Sequence, residues 1–265
     1  MLIYRTVQPS PKLRDYVRFF WFLESDGPYT HYAEADVCPE LVFHFKGQFD
    51  EVLENGKRES SFISGINAPT SQTRKYEINS GFGIFGIYFY PHAIPLLFGI
   101  PASEITDQRI ALDALIHPMA VDLEDKIMNS PTNESRIAII ESFIEERLAK
   151  TQTIQLPVFE ALKHIIKAQA APKVSQLSQD YFISERQLER QFLRVTGCNP
   201  KQFIRIARFQ RAIQFYGNRK KRLTDIALDC GYYDLSHFIN DFKQFSTLGP
   251  REFFSGKSPA TQWRD

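Results

Sequence analysis

Cysteine is scarce and scattered in this 265-residue chain: Cys38, Cys198 and Cys230 stand far apart, with no CxxC pair. Such spacing excludes a disulfide framework and a structural zinc cage, and each thiol reads as a small buried apolar group. Long apolar runs are missing too, since no window approaches the roughly 18 to 20 residues a membrane span needs. The opening MLIYRTVQPSPK lacks the basic start and apolar core of a signal peptide. A cytoplasmic protein is expected. Also missing are a nucleophile–base arrangement, a glycine-rich phosphate loop and a paired-carboxylate motif. No catalytic residue and no cofactor are therefore assigned.

Net charge is nearly absent as well, at +1, but its distribution is uneven. Residues 151–265 carry 18 Lys+Arg against 10 Asp+Glu, a surplus of +8, and residues 1–150 carry 14 against 21, or −7. A basic rear half joined to an acidic front half points to an anionic partner for the rear, with nucleic acid the leading class.

What is present in the basic half is a repeat. Residues 173–204 overlie 223–254 with a shift of fifty: Leu177 on Ala227, Phe182 on Tyr232, Ser184 on Asp234, Leu188 on Phe238, Phe192 on Phe242, Pro200 on Pro250 and Phe203 on Phe253. Each copy reads as helix, tight turn, helix. Ser184 to Gln187 has the pattern of a capping box, Asp234 is a good N-cap, and Gly197 can supply the positive φ that ends a helix. Asn199-Pro200 and Gly249-Pro250 place proline where a helix begins. Two helices joined by a short turn make a helix-turn-helix, whose second helix can enter a DNA major groove. Between the copies, Pro200 to Gly217 reads as a connecting helix of about 25 Å, with Arg205, Arg208 and Arg211 drifting around its exposed side.

The stretches SERQLERQF (184–192), TGCNPKQF, LTDIALDCGYYDLSHFINDFK (223–243) and LGPREFF (248–254) resemble the C-terminal DNA-binding domain of the AraC/XylS family of bacterial transcription regulators. The resemblance covers about a hundred residues in order. It implies base-facing positions at Arg186, Glu189 and Arg190 in the first motif and at Ser236, His237 and Asn240 in the second. Arg194, Arg205 and Lys243 are candidate phosphate contacts by their charge, against the plain alternative of solvated cations. Arginine can grip guanine with two bonds, and asparagine can pair with adenine. This chain departs from the family at Asn240, where arginine is common, and at Ile239, where a small polar residue is common. Both changes remove options for gripping phosphate or guanine.

Residues 1–150 read differently. YVRFFWFLE (16–24), ELVFHFK (40–46) and GFGIFGIYFY (81–90) are short, aromatic and β-branched, the pattern of a small β-barrel or sandwich. Helices are expected over 91–100, 118–129 and 133–150. The layout resembles AraC-type regulators with a cupin-like sensor barrel, an α+β chain with an all-α C-terminal domain. Domains are expected at 1–150 and 151–265, with helix-turn-helix motifs about 173–195 and 223–245 and a boundary near 151–155.

For the front half, a ligand sensor is one reading, with Trp21, Phe43, Phe45, Phe85, Tyr88 and Tyr90 lining a pocket for a small-molecule effector. A second is a cupin-like metal-dependent enzyme around His31, His44 and His92. Against it, the histidines are scattered, with no HxH pair, so no metal ligand is assigned. A third is a homodimer contact through the 133–150 helix. The DNA-repair role of some relatives needs a cysteine cluster that this chain lacks. Double-stranded DNA is the expected partner, joined by RNA polymerase if the protein is an activator.

Overall fold

The computed structural model describes residues 1–151, 157–168, 172–217 and 221–256. Its first part is two antiparallel sheets. Strands β1 (Ile3–Val7), β2 (Val17–Ser25), β3 (Tyr29–Ala33), β4 (Glu40–Lys46), β5 (Asp50–Val52), β6 (Arg58–Ser60), β7 (Ser64–Asn67), β8 (Arg74–Ile78), β9 (Phe82–Phe89) and β10 (Arg109–Ala111) share them out. The larger sheet runs β1-β2-β9-β4-β7-β10 and the smaller β3-β8-β5-β6.

Helix α1 (Ala93–Phe98) lies between β9 and β10, and α2 (Leu112–Ile116), α3 (Met119–Met128) and α4 (Asn133–Ala149) follow β10. Together they cover one face of the larger sheet, where Phe20, Phe22, Phe43, Phe85 and Phe89 meet Leu97, Leu123, Ile140 and Ile144 in one core. The apolar stripe of α4 is therefore spent on its own chain, and Ile140 and Ile144 are fully buried there.

The larger sheet's other face looks toward the smaller sheet. At one end of this inner space Leu23, Val42, Phe82 and Ile84 pack on Tyr29, Phe49 and Ile78. At the opposite end Ala35, Val37, Cys38 and Tyr88 join the core of the helical part.

That helical part comprises α5 (Pro157–Lys167), α6 (Val174–Asp180), α7 (Glu185–Thr196), α8 (Pro200–Ile213), α9 (Leu223–Asp229), α10 (Leu235–Ser246) and α11 (Pro250–Phe253). The connecting helix α8 is shorter than the sequence suggested, 14 residues or about 21 Å. Of the expected boundary stretch 151–155, all but Thr151 lies outside the described residues.

The two copies share their chemistry at the helix ends. Thr196 Oγ1 donates to the Phe192 carbonyl at 2.8 Å and accepts from the Cys198 amide. Fifty residues on, Ser246 Oγ donates to the Phe242 carbonyl at 2.9 Å and accepts from the Leu248 amide. Their turns differ by one residue, however. The Ile183 amide donates to Ser178 O in one copy and the Tyr232 amide to Ala227 O in the other, a shift of 49. Left-handed Phe182 (φ 52°) thus matches Gly231 (φ 78°), and buried Leu177 matches buried Ile226. The pairings of Leu177 with Ala227 and Phe182 with Tyr232 are corrected accordingly, Tyr233 being the extra residue. A uniform shift of fifty holds only from Ser184 onward.

Candidate nucleic-acid interface and internal cavity

Helix α7 begins as its capping residues require. Ser184 accepts from the Gln187 amide, and the Gln187 side chain accepts from the Ser184 amide, each at 3.3 Å. This fixes the first turn, and Leu188, Phe192 and Val195 bury the inner face. Arg186, Glu189, Arg190 and Arg194 stand exposed on the outer face. None makes a hydrogen bond or ion pair among the described residues, so an arriving polyanion meets three free guanidiniums and one carboxylate.

Helix α10 is capped by Asp234, which accepts from the His237 amide at 2.7 Å. Its inner face is Phe238, Phe242 and Phe245, all fully buried. Ser236, Asn240 and Lys243 are exposed. His237 is held differently: its ring meets Tyr232 edge-on at 5.3 Å, and Nε2 lies 3.7 Å from Asp241. Asp241 itself is buried at 2% exposure, and Arg205 Nη2 and Nε reach its Oδ1 at 2.7 and 3.1 Å.

The arginines of α8 are therefore not a free exposed series. Arg205 ties α8 to α10, Arg208 lies over the Tyr232 ring and donates to Gly231 O, and Arg211 donates to Ile165 O. Spacing of three placed them near neighbouring helices, whose carbonyls and carboxylate they satisfy. Charge and spacing alone do not distinguish such ties from solvated cations, because long arginine stems fold along apolar surfaces.

The helical part also binds the sheets. The carbonyl of Phe245, at the end of α10, accepts from the Ala35 amide at 3.1 Å and from Thr73 Oγ1 at 3.0 Å. Gln210 of α8 donates to Ala35 O, Lys163 pairs with Asp15 at 2.9 Å, and His92 stacks on Phe159 at 4.7 Å. Burial there holds the His92 imidazole down to about 4. Gly197, ending α7 at φ 77°, packs so closely that a Cβ would lie 1.7 Å from Thr106 Oγ1.

Between these contacts lies a cavity of about 360 Å³, a size suited to a small organic molecule. Its walls include Phe19, Trp21, Glu40, Tyr76, Tyr88 and Arg109 from the sheets and Ala207, Gln210, Ile213 and Gln214 from α8 and its end. Of the six aromatic residues expected to line a pocket, Trp21 and Tyr88 do. Phe43 and Phe85 face the helix-covered core, Phe45 packs against that core beneath Arg136, and Tyr90 lies past β9, stacked on His92. Alternation explains the split: residues 43 and 85 are out of phase with 42, 84 and 88. The three histidines are not brought together. His31 and His44 line the cavity, while His92 lies outside it with Nε2 on Asp15 O. Among the described residues no group of three His, Cys, Asp or Glu is arranged to hold a metal ion.

Sequence reasoning passed over the cavity's charged residues. Arg18 lies over the Tyr88 ring at 4.9 Å and donates to Cys38 Sγ at 3.3 Å. Tyr88 donates its hydroxyl to Asp36, whose carboxyl burial pushes upward despite that bond. Burial raises the Cys38 thiol to about 12, so it stays protonated. Arg74 and Arg109 grip the two oxygens of Glu51 at 2.9 and 2.6 Å.

Comparison with known proteins fits this architecture. Residues 177–256 match the family model of a helix-turn-helix domain, and residues 5–111 match a domain of unknown function (DUF6597). The chain is 30% identical over 82 residues to the HTH-type transcriptional activator RhaS of Enterobacter sp. (strain 638), covering 31% of this chain and 30% of that protein. To RhaS of Klebsiella pneumoniae (strain 342) it is 28% identical over 87 residues, 33% of this chain and 31% of the relative. The chain thus spans about a third of the length of the curated relatives it matches. Across nearly its whole length the fold is similar to ToxT of Vibrio cholerae O395, at TM-score 0.50 and 12% identity, covering 95% of this chain and 98% of that one. Through residues 177–256 the chain is thus similar to the helix-turn-helix domains of such transcription regulators.

Proposed function

We propose that this protein is a sequence-specific DNA-binding transcription regulator whose sheet domain holds a small effector. The observation that carries this reading is the pair of capped helix-turn-helix units, with outer faces of exposed arginine, asparagine, serine and lysine. α7 and α10 are the two recognition helices, and Arg186, Glu189, Arg190, Ser236 and Asn240 contact base edges. Arg194 and Lys243 position the domain on phosphate. His237 braces α10 through Tyr232 and Asp241 and presents its remaining edge to DNA.

The effector acts through shape. The cavity is walled partly by α8, and α8 contacts both α7 and α10, so an occupant touches the element from which both readers are hung. A ligand shifts the placement of these helices only as far as its affinity differs between the two arrangements. The RhaS relatives are activators by name, and ToxT is recorded with a substituted butenoic acid bound; both support a regulator with an effector. The protein works without catalysis, in the cytoplasm, with residues 1–150 as the sensing unit and 151–265 as the DNA-binding unit. Contact with RNA polymerase follows if it activates.

Selection of bound sequences from a random duplex pool by the whole chain tests this. A recurring motif is expected, and binding that stays uniform across the pool contradicts it.

A further inference from the structure

The cavity holds an acidic group, Glu40, that no described residue answers. Across the inner face of the larger sheet, Phe19, Tyr88, Glu40, Asn67 and Arg109 form a single cross-strand row. Glu40 is its centre, and it makes no hydrogen bond or ion pair among the described residues. The three arginines nearby are committed elsewhere: Arg18 to Cys38 and the Tyr88 face, Arg74 and Arg109 to Glu51. Burial, and after it the neighbouring Asp36, push the Glu40 carboxyl up to about 8.

An unpaired carboxyl in such a place is costly unless something arrives to answer it. Around it are aromatic rings. Trp21 lies directly over Gly86, where a Cβ would sit 2.0 Å from the indole, and Tyr76 and Tyr88 complete the surround. Rings beside a carboxylate are the chemistry that receives an organic cation. Donors that also lack acceptors among the described residues include Trp21 Nε1 and Arg109 Nη1.

We propose that the cavity binds an organic amine on an aromatic or aliphatic body, its ammonium on Glu40 among Trp21, Tyr76 and Tyr88. A hydrogen-bond acceptor on the same molecule answers Trp21 Nε1 or Arg109 Nη1. This rests on the cavity being the effector site, and it names the effector's class. A carboxylate ligand is disfavoured because Glu40 and Asp36 face it, while Glu51 already holds Arg74 and Arg109.

The test uses three probes that share one phenol body: tyramine, its alcohol counterpart tyrosol, and 3-(4-hydroxyphenyl)propionate. Calorimetric titration of the full chain should give tyramine at least about ten-fold tighter binding than either other probe. Glu40→Gln should remove that preference while leaving tyrosol binding within about two-fold. Equal or weaker binding of the amine overturns the proposal, as does no measurable binding of any probe at millimolar concentration, or a preference that survives Glu40→Gln.

A second measurement guards against a variant that fails to fold. Between about pH 4.5 and 8 the folded chain keeps a proton on Glu40 that the unfolded chain has released, so this group's contribution to stability falls as pH rises. The groups facing it are Asp36, Tyr76 and Tyr88, and Asp36, also raised, acts in the same sense. Glu40→Gln should therefore flatten, without abolishing, the loss of melting temperature across that window in the empty protein. An unchanged slope means that Glu40 is paired in solution and overturns the proposal. The two readings also fail separately. A chain that selects a DNA motif without preferring the amine sinks only this inference; one that prefers the amine but selects no motif sinks the regulatory reading.

Discussion

The two helix-turn-helix units are built on one plan and tied down differently. In α10, Asp241 is buried and held by Arg205 of α8, and His237 leans on the same carboxylate. The corresponding position of α7 is Gln191, whose Oε1 is buried and has no donor among the described residues. In exchange, α7 packs tightly against the sheet domain where Gly197 meets Thr106 and Ala102. Helix α10 is thus anchored to the connecting helix, and α7 to the part of the chain that carries the sheets. Their outer faces differ as well: α7 offers three unpaired arginines, whereas α10 offers mainly neutral polar groups.

Five substitutions sharpen or break this comparison. Gly197→Ala should be the most damaging, costing about 3 kcal/mol, because it adds left-handed strain to a clash with Thr106; chemical denaturation reads the loss. Asp241→Ala should cost about 2 kcal/mol, discounted because Arg205 is partly exposed and regains water. Gln191→Ala at the matching position should change stability by less than about 0.5 kcal/mol, and similar costs at the two sites would erase the distinction in anchoring.

On DNA, Arg190→Ala should lose about 1–2 kcal/mol of binding and relax preference at one base position. A loss equal for all sequences would make Arg190 a phosphate contact. Thr247→Gly should stabilise by up to about 1 kcal/mol, because glycine removes the left-handed penalty. Thr247 ends α10 at φ 61°, where Gly197 ends α7 at φ 77°. A thermal melt that falls instead would show that the threonine side chain matters more than its backbone strain.

The helix ends were legible in the sequence because capping chemistry is local: Ser184 with Gln187, Asn199 before Pro200, and Asp234 each do what their type suggests. The turn between α6 and α7 was not. Phe182 looks like a buried anchor, yet it is 98% exposed in a left-handed conformation, and its neighbour Ile183 does the packing. Residue type does not announce a positive φ.

The cavity was hidden for another reason. Every residue of β9 is buried, so hydrophobic alternation cannot say which face looks inward. Phe85 fell on the wrong side of that ambiguity, Phe43 and Phe45 on the helix-covered side of β4, and Tyr90 past β9, while Glu40 and Arg109 need the cross-strand pairing before they become neighbours. Long-range pairing carries that information, and a single strand does not.

The most direct test of the central claim compares duplex selection by the whole chain, Arg190→Ala and Asn240→Ala. The account predicts a site of two parts about one helical turn apart, with Arg190→Ala erasing preference in one part and Asn240→Ala weakening it in the other. If both substitutions alter the same base positions, or neither alters any, the assignment of α7 and α10 as two separate readers is contradicted.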